Sequence, residues 1–391
     1  MTSPLDGVLV ADFSRVLAGP LCTVNLADLG ATVIKVERPG TGDDTRAWGP
    51  PWSPNGSTYF ESVNRSKRSV VLDLTEPADL ALALELATRA DVLVENYRPG
   101  ALQRHGLGYE KIQALNPGII YCSITGFGAT AGADLLGYDF VVQAMGGLMS
   151  ITGDPDGQPT KAGVALVDVL TGKDATIGVL AALASRAQSG QGCRVEVNLL
   201  SSLLGALVNQ AQGYLETGDP PRRMGNRHPS IAPYETLRCR DGLLAVACGN
   251  DGQFVRFATV IGAPELSNDN RFVTNAARVA HRCELVAALE SALAANDAGT
   301  WQTRLTAAQV PAGKVGTVAD GFALAERLGL APTVEVGPHH TSQVRHAVTF
   351  DPDLVTRPTP PPALGADTEA IRAWLSGDAL STNLSTEQVH P

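Results

Sequence analysis

The feature that most constrains the fold of this chain is the alternation of short apolar runs with helical patterns through its first 200 residues. Two longer segments, 20–30 and 78–89, predict helices, and the first ends at a glycine, as helices often do. The predicted strands are 7–11, 31–37, 69–74, 91–95 and 118–124. Because parallel strands are joined by crossover helices, this rhythm predicts an α/β fold with a mostly parallel sheet. Ligands of such sheets bind at the carboxyl ends of the strands.

A second section with a different pattern begins near Gly225. Two β-rich runs, 234–239 and 243–248, flank Asp241-Gly242, which is a hairpin signal. Further helical patterns follow at 252–261, 283–295, 300–308 and 367–375. The length of 391 residues favours two domains. The predicted organisation is a discontinuous large domain, 1–200 with 335–391, then a linker, 201–224, and a small α+β domain, 225–330.

Charge and cysteine content narrow the possible ligands and compartments. The net charge of −10 argues against nucleic acid or an anionic membrane as a general partner. No apolar run reaches the roughly 20 residues that span a bilayer. The amino terminus lacks the pattern of a signal peptide, so we predict a cytoplasmic protein. The six cysteines form no CxxC pair and fit no zinc template, and we predict no metal site.

Positive charge is concentrated locally in two stretches of this acidic chain. Arg38 comes at the carboxyl end of a predicted strand, where a phosphate or adenine would dock, although a solvated pair with Glu37 explains it equally. In 64–69, three of four consecutive positions are cationic, and they include Lys67 and Arg68. This pattern suits phosphate binding, but it is equally typical of a solvated basic turn.

A third polar stretch, 91–100, runs from a predicted strand into a turn. Tyr97 is suited to stacking on a purine or a pantetheine arm. Arg98 and Arg104 are suited to phosphates. The Pro99-Gly100 turn itself is explained by loop structure alone.

Asp168 interrupts an apolar stretch just ahead of a helical pattern at 173–187. One interpretation is a plain helix N-cap. The other is a reactive carboxylate, which needs a weakly hydrated setting near a helix N-terminus that keeps it ionised.

In their order, these stretches resemble the class III CoA-transferases, the family of formyl-CoA transferase and carnitine CoA-transferase. The matching stretches are 26–46, 64–74, 90–108, 118–128, 137–139 and 162–190. The resemblance implies a nucleotide-fold-like large domain, a small domain and a homodimer whose two chains interlock like links. It also implies an active site between the large domain of one chain and the small domain of its partner.

The resemblance implies that Asp168 is the nucleophile and that CoA or acyl-CoA is a substrate, with no tightly bound cofactor and no need for ATP or metal. The candidate CoA contacts are Arg38, Lys67, Arg68, Asn96, Tyr97, Arg98, Arg104 and Tyr138. A glycine-containing loop supplies candidate oxyanion donors, although a simple turn explains it equally, and its residues are Asn250, Asp251, Gly252 and Gln253. Leu17 stands where formyl-CoA transferase has a glutamine, which disfavours formate or oxalate. The branch that 137–139, 151–153 and 164–168 most resemble acts on dicarboxylates such as succinate and glutarate, so we predict succinyl-CoA as donor.

Two other functions compete with CoA transfer. An α-methylacyl-CoA racemase of the same family needs two acid/base groups on opposite faces of the substrate. Its motif has a histidine where this chain has Tyr138, and its later acidic residue matches Asp251. Because an ordinary tyrosine has a pKa of about 10, Tyr138 is a poor proton acceptor near neutrality. A CoA-binding protein without turnover would keep Arg38 and Arg104 but would not need Asp168.

Overall fold

The structure is a computed structural model that describes residues 3–377. The chain divides into two compact units. The first unit comprises the chain up to Gly146, then Ala162–Leu215, and the chain from Ala331 onward, and the second comprises Gly147–Lys161 and Glu216–Leu330. Within residues 3–377, none of the helices combines the length and apolar character that crossing a bilayer requires.

Strands and helices alternate through the first unit, as its sequence predicts. In both units together, the strands of the described residues are β1 (Leu9–Asp12), β2 (Thr32–Glu37), β3 (Trp52–Ser53), β4 (Gly56–Ser57), β5 (Lys67–Val71), β6 (Val92–Glu95), β7 (Ile120–Thr125), β8 (Cys193–Asn198), β9 (Tyr234–Arg238), β10 (Leu243–Ala247), β11 (Ala312–Lys314), β12 (Thr333–Val334) and β13 (Gln343–Val344). The helices are α1 (Ala18–Asp28), α2 (Thr58–Glu61), α3 (Pro77–Arg89), α4 (Ala101–Arg104), α5 (Tyr109–Leu115), α6 (Asp139–Met145), α7 (Leu148–Ile151), α8 (Leu166–Ser189), α9 (Leu199–Ala206), α10 (Val208–Thr217), α11 (Asp251–Val260), α12 (Asn275–Ala280), α13 (Arg282–Leu293), α14 (Ala298–Ala307), α15 (Val318–Arg327) and α16 (Thr368–Ser376).

The core of the first unit is a six-stranded parallel sheet in the order β5-β2-β1-β6-β7-β8. The prediction of a mostly parallel sheet covered by helices is confirmed. All five predicted strands are present, within a few residues of their predicted bounds. The sixth strand, β8, was missed because its residues are largely exposed at the edge of the sheet and carry little apolar signal.

Helix α1 crosses α8 closely, and glycine makes this approach possible. A Cβ atom on Gly172 of α8 would lie 2.7 Å from the backbone oxygen of Ala18. Any side chain at this position would therefore push the two helices apart. The crossing fixes the first turns of α8 beside the loop that follows β1.

The second unit has a three-stranded antiparallel sheet, β11-β10-β9. The predicted hairpin is confirmed, since Arg238 pairs with Leu243 on either side of a tight turn. Helices α11, α13 and α14 match the three helical patterns, and they enclose a core that includes Phe257, Leu289 and Trp301.

The unit boundaries differ from the predicted domains in two segments. The segment predicted as a linker, 201–224, contains most of α9 and α10, because Asn198 caps a leucine-rich run by accepting the Ser201 N–H at 2.8 Å. Residues 147–161 group with the second unit. The N–H of Gly225 donates to the Gly153 oxygen at 3.0 Å and ties this segment to the later chain.

Candidate active site

A cavity of about 570 Å³ opens in the first unit at the carboxyl edge of the parallel sheet. Its walls come largely from residues that directly follow β1, β6, β7 and β8, as expected for ligand sites of such sheets. Residues that line it include Arg15, Leu17, Asn96, Arg98, Tyr138 and Asp168. The nucleophile predicted from sequence and several predicted CoA contacts therefore line one cavity.

Asp168 is the third residue of α8, and its side chain is half-buried. Burial, reinforced by the nearby carboxylate of Asp139, raises its pKa to about 7. The N-cap interpretation is wrong, because Ala165 holds the N-cap position. The helix begins earlier than predicted because an acceptor distant in sequence, Asp139, binds its first N–H groups. Within residues 3–377, the structure records no hydrogen bond to the Asp168 carboxylate, so it is available to react.

A second cavity of about 230 Å³ lies in the same unit, and it shares two wall residues, Arg15 and Tyr97, with the larger one. The Arg15 guanidinium lies over the Tyr97 ring, 5.1 Å from its centroid. Arg38 also lines this smaller cavity, where it donates to the Thr41 hydroxyl at 2.8 Å and pairs with Asp44. Arg15 and Tyr97 thus border both cavities.

Arg15 was missed by the sequence analysis although the signal was present. It directly follows β1, and ligand-binding residues of parallel sheets occupy this position. Its guanidinium pairs with Asp44 at 3.1 Å. Tyr59 was also missed, and no local pattern indicated it. It packs against the buried cluster of Leu17, Val24 and Val63, and burial, followed by the charge of Asp168, raises its pKa to about 12.

Asn96 binds the backbone of Arg15, and its predicted contact with CoA stays a prediction. Its side-chain oxygen accepts the Arg15 N–H at 2.9 Å, and its side-chain nitrogen donates to the Arg15 carbonyl at 2.7 Å. Both polar groups of the amide therefore hold the loop after β1. Asn96 still lines the larger cavity, but it shapes the wall by fixing Arg15.

Lys67, in the basic stretch 64–69, does not have the phosphate-binding role that its charge suggested. Lys67 is fully buried, and its amino group pairs with Asp12 at 3.1 Å. The same group donates to the Asn64 side chain at 2.9 Å and to the Pro20 carbonyl at 3.1 Å. Because the side chain is inaccessible and its amino group is occupied by three acceptors, the prediction that Lys67 contacts CoA is wrong. It neutralises a buried carboxylate.

The remaining predicted contacts of the first unit differ in exposure. Arg98 and Tyr138 are exposed on the wall of the larger cavity. Arg104 is exposed at the end of α4, next to His105, which lines the smaller cavity. Arg68 is half-buried on β5, in register with Ile34. Roles in CoA binding for these four stay predictions.

In the second unit, the segment predicted as a glycine-containing loop is the start of α11. Asn250 caps the helix by accepting the Gln253 N–H at 2.9 Å, and the Gln253 side chain accepts the Gly249 N–H at 2.7 Å. Asp251 pairs with the buried Arg278 at 2.7 Å. Gly252 lies in the first turn. The turn is helical because Asn250 is a strong N-cap, and its role as an oxyanion site stays a prediction.

Comparison with known proteins decides the family to which this site belongs. The model of CoA-transferase family III matches residues 5–368. The chain belongs to CoA-transferase family III. It is 46% identical over 332 residues to a succinate–glutarate CoA-transferase of Agrobacterium fabrum, covering 82% of each chain. It is 44% identical over 319 residues to an acetyl-CoA:oxalate CoA-transferase of Acetobacter aceti, covering 81% of this chain and 82% of that one. A crystal structure of a CaiB/BaiF family protein from Brucella suis matches with a TM-score of 0.86 at 43% identity, covering 96% of this chain and all of that one.

This family III CoA-transferase is therefore an enzyme, and CoA thioesters are its substrates. The resemblance inferred from sequence is confirmed. The transferase prediction is favoured over the racemase, because the relatives are named as transferases. Asp251, which the racemase needs as an acid/base group, is instead engaged by Arg278.

Proposed function

We propose that this CoA-transferase moves CoA from succinyl-CoA to a second dicarboxylic acid through a covalent intermediate on Asp168. The observation that carries the proposal is the state of that carboxylate. It lies on the cavity wall, half-buried, with no hydrogen bond recorded to it among the described residues. A weakly solvated carboxylate is a stronger nucleophile than one held by several donors.

The reaction divides into four acyl transfers. The Asp168 carboxylate attacks the thioester carbonyl, the carbon–sulfur bond breaks, and CoA departs as the thiolate. Asp168 and the donor acyl group are then joined in a mixed anhydride. The thiolate then attacks the Asp168 carbonyl, releasing the donor acid and forming an aspartyl-CoA thioester. The acceptor carboxylate attacks that thioester and again expels CoA thiolate. Finally the thiolate attacks the acceptor's acyl carbon, which gives the new acyl-CoA and restores Asp168. No net proton is consumed, and the thioester energy is retained without ATP, metal or bound cofactor.

The cavities of about 570 and 230 Å³ in the first unit suit the two ends of CoA. We assign the smaller one, with Arg38 and Tyr97, to the nucleotide, since a guanidinium binds phosphate and a phenol ring stacks on a purine. The larger one, with Asp168, receives the pantetheine arm and the thioester. Arg15 and Tyr97 line both and mark the passage between them.

The names of the two relatives include the dicarboxylates succinate, glutarate and oxalate, and the donor named for the second is acetyl-CoA. The more similar of these two names supports a dicarboxylate donor and acceptor here, with glutarate as the first acceptor to test. A dicarboxylic substrate has a second carboxylate that does not react, and this carboxylate needs a cation to bind it. We propose Lys161, Arg227 or His228 for this role. The Arg227 Nε atom is 3.8 Å from the Glu235 carboxylate, which is a loose pairing.

We further propose that the enzyme is a cytoplasmic, interlocked homodimer. In that assembly the start of α11, residues 250–253, of one chain would supply oxyanion donors to Asp168 of its partner. Light scattering gives the mass of the assembly. A mixed dimer of Asp168→Ala chains with chains altered at Gly252 should regain about one active site in two. A monomer of full activity would contradict this part of the proposal.

The covalent route is tested by mass analysis of enzyme mixed with succinyl-CoA and quenched with hydroxylamine or borohydride. We expect modification of Asp168 and none in Asp168→Ala. The matched control is Asp174→Asn, which removes an exposed carboxylate from the same helix and should leave the modification unchanged. Full transfer activity in Asp168→Ala would refute the proposal. Absence of any adduct together with α-deuterium exchange on a 2-methylacyl-CoA would establish a racemase instead.

A further inference from the structure

We propose that Asp139 is a positioning residue for the nucleophile: it binds the N–H groups at the start of α8 and so leaves the Asp168 carboxylate directed to the substrate. This inference rests on the proposed function, because it assigns Asp139 a role toward the covalent step. Asp139 is the first residue of α6 and is buried. It follows Tyr138, a wall residue of the larger cavity, so α6 organises two parts of the site.

The contacts of Asp139 form a clamp between α6 and the segment that carries the nucleophile. Its Oδ1 atom accepts the Val167 N–H at 2.7 Å and the Asp168 N–H at 3.3 Å. Its Oδ2 atom accepts from the Gln143 side chain at 2.6 Å. The Gln143 side-chain oxygen in turn accepts the Ala162 N–H at 2.9 Å. Two side chains, one helical turn apart on α6, thus fix residues 162–168.

The clamp changes what the nucleophile can bind. The first N–H groups of a helix have no partner within it, and a carboxylate in the first turn often turns back to bind them. In α8 these groups are already bound, because the Leu166 N–H donates to Val164 at 2.8 Å and Asp139 takes the next two. The first hydrogen bond between residues four apart in α8 is then donated by the Val169 N–H to the Ala165 carbonyl at 3.1 Å. Asp168 therefore has no helical N–H to satisfy, and its carboxylate stays available to a thioester.

The charge of Asp139 adds to the effect of its geometry. Burial raises the pKa of Asp168, and the Asp139 carboxylate raises it further. The elements packed against α8 are α1, α6, α9, β7 and β8, and their titratable groups are Cys22, Asp28, Tyr121, Cys122, Asp139, Cys193, Arg194 and Glu196. The cavity wall adds Arg15, Asp44, Tyr97, Arg98 and Tyr138, and Tyr59 is near enough for the charge of Asp168 to act on it. Among all of these described groups, Asp139 is the one whose charge shifts the pKa of Asp168.

The test is a double variant that moves the charge but keeps the hydrogen bonds. Asp139→Asn alone would point an amide NH₂ at the NH₂ of Gln143. Adding Gln143→Glu restores an acceptor there and still accepts the Ala162 N–H. The amide oxygen that the first substitution introduces still caps α8, since asparagine is a good N-cap. The control is Asp174→Asn, which removes a carboxylate from the exposed face of the same helix.

We measure kcat/KM for CoA transfer from pH 5 to 9, the melting temperature, and adduct formation on the wild type. In the double variant we expect the acid limb to move down by roughly one pH unit, so that the ratio of kcat/KM at pH 6 to that at pH 8 rises roughly fivefold. The melting temperature of the double variant should change little. Asp174→Asn should leave the acid limb of the kcat/KM profile where it is in the wild type. An unmoved acid limb in the folded double variant would show that the Asp139 charge does not act on Asp168. The clamp itself is tested by Asp139→Ala, which removes the acceptor of the Val167 and Asp168 N–H groups; we expect kcat/KM at pH 8 to fall at least tenfold in folded Asp139→Ala and less than twofold in the double variant, and wild-type kcat/KM in folded Asp139→Ala overturns the inference while the function stands. Absence of a wild-type adduct overturns the proposed function, and the inference with it.

Discussion

The Lys67→Met variant tests whether Lys67 is a structural cation or a ligand-binding one. The sequence places Lys67 in a basic cluster that resembles a phosphate site, whereas the structure buries it against Asp12. Burial lowers the pKa of Lys67 to about 8. Although burial alone would raise the pKa of Asp12, the charges of Lys67 and Lys35 bring it down to about 2. Both members of the pair are therefore charged at neutral pH.

The expected cost of Lys67→Met follows from the partners it abandons. Removing one member of a buried ion pair costs about 3–5 kcal/mol, since the other charge stays buried. Asp12 keeps hydrogen bonds from Ser14 and Thr23 and lies near Lys35, so we expect the lower end, about 3 kcal/mol. At about 2–4 °C per kcal/mol for a unit of this size, the melting temperature should fall by roughly 6–12 °C.

The assay compares Lys67→Met with Arg104→Met, which removes an exposed cation beside the smaller cavity. Urea unfolding gives the free energy of unfolding, and initial rates on the folded fraction give KM for the acyl-CoA. We expect Lys67→Met to lose stability with KM changed less than twofold. We expect Arg104→Met to keep its stability and raise KM roughly tenfold, by loss of a charged hydrogen bond worth about 1.5 kcal/mol. A stable Lys67→Met enzyme with a tenfold higher KM would refute the reasoning.

Three further predictions test the site and the second unit. Because Asp168 must be ionised to attack, and its pKa is about 7, kcat/KM should rise roughly tenfold between pH 6 and pH 8; a flat pH profile would contradict this. A Cβ on Gly137 would lie 2.4 Å from the Gly126 Cα, so Gly137→Ala should displace the cavity wall and lower kcat/KM at least tenfold, whereas Gly205→Ala, which has open space around it, should not. Arg278→Met removes a fully buried guanidinium with bonds to two carbonyls and a carboxylate. Because the two carbonyls lose a charged donor, calorimetry should show the second unit destabilised by about 3 kcal/mol, and an unchanged transition would contradict its structural role.

The sequence by itself determined the local elements and the family. Apolar runs, helix periods and turn residues act over a few neighbours, so the five strands, the helices between them and the hairpin of β9 and β10 could be predicted. The carboxyl ends of parallel strands lie on one edge, and this rule placed Arg38 and Tyr97 near a common site. The ordered motifs pointed to CoA transfer and to Asp168.

Tertiary structure alone decided which polar groups line a cavity and which are held inside the protein. Lys67 reads as a surface cation in sequence, but its burial depends on Asp12, which comes 55 residues earlier. Asn96 reads as a ligand contact, but its amide is occupied by the loop at Arg15, 81 residues away. The start of α8 depends on Asp139, a cap 28 residues upstream that no local pattern reveals. Solvation and electrostatic interactions depend on distance in space, whereas sequence patterns report only neighbours along the chain.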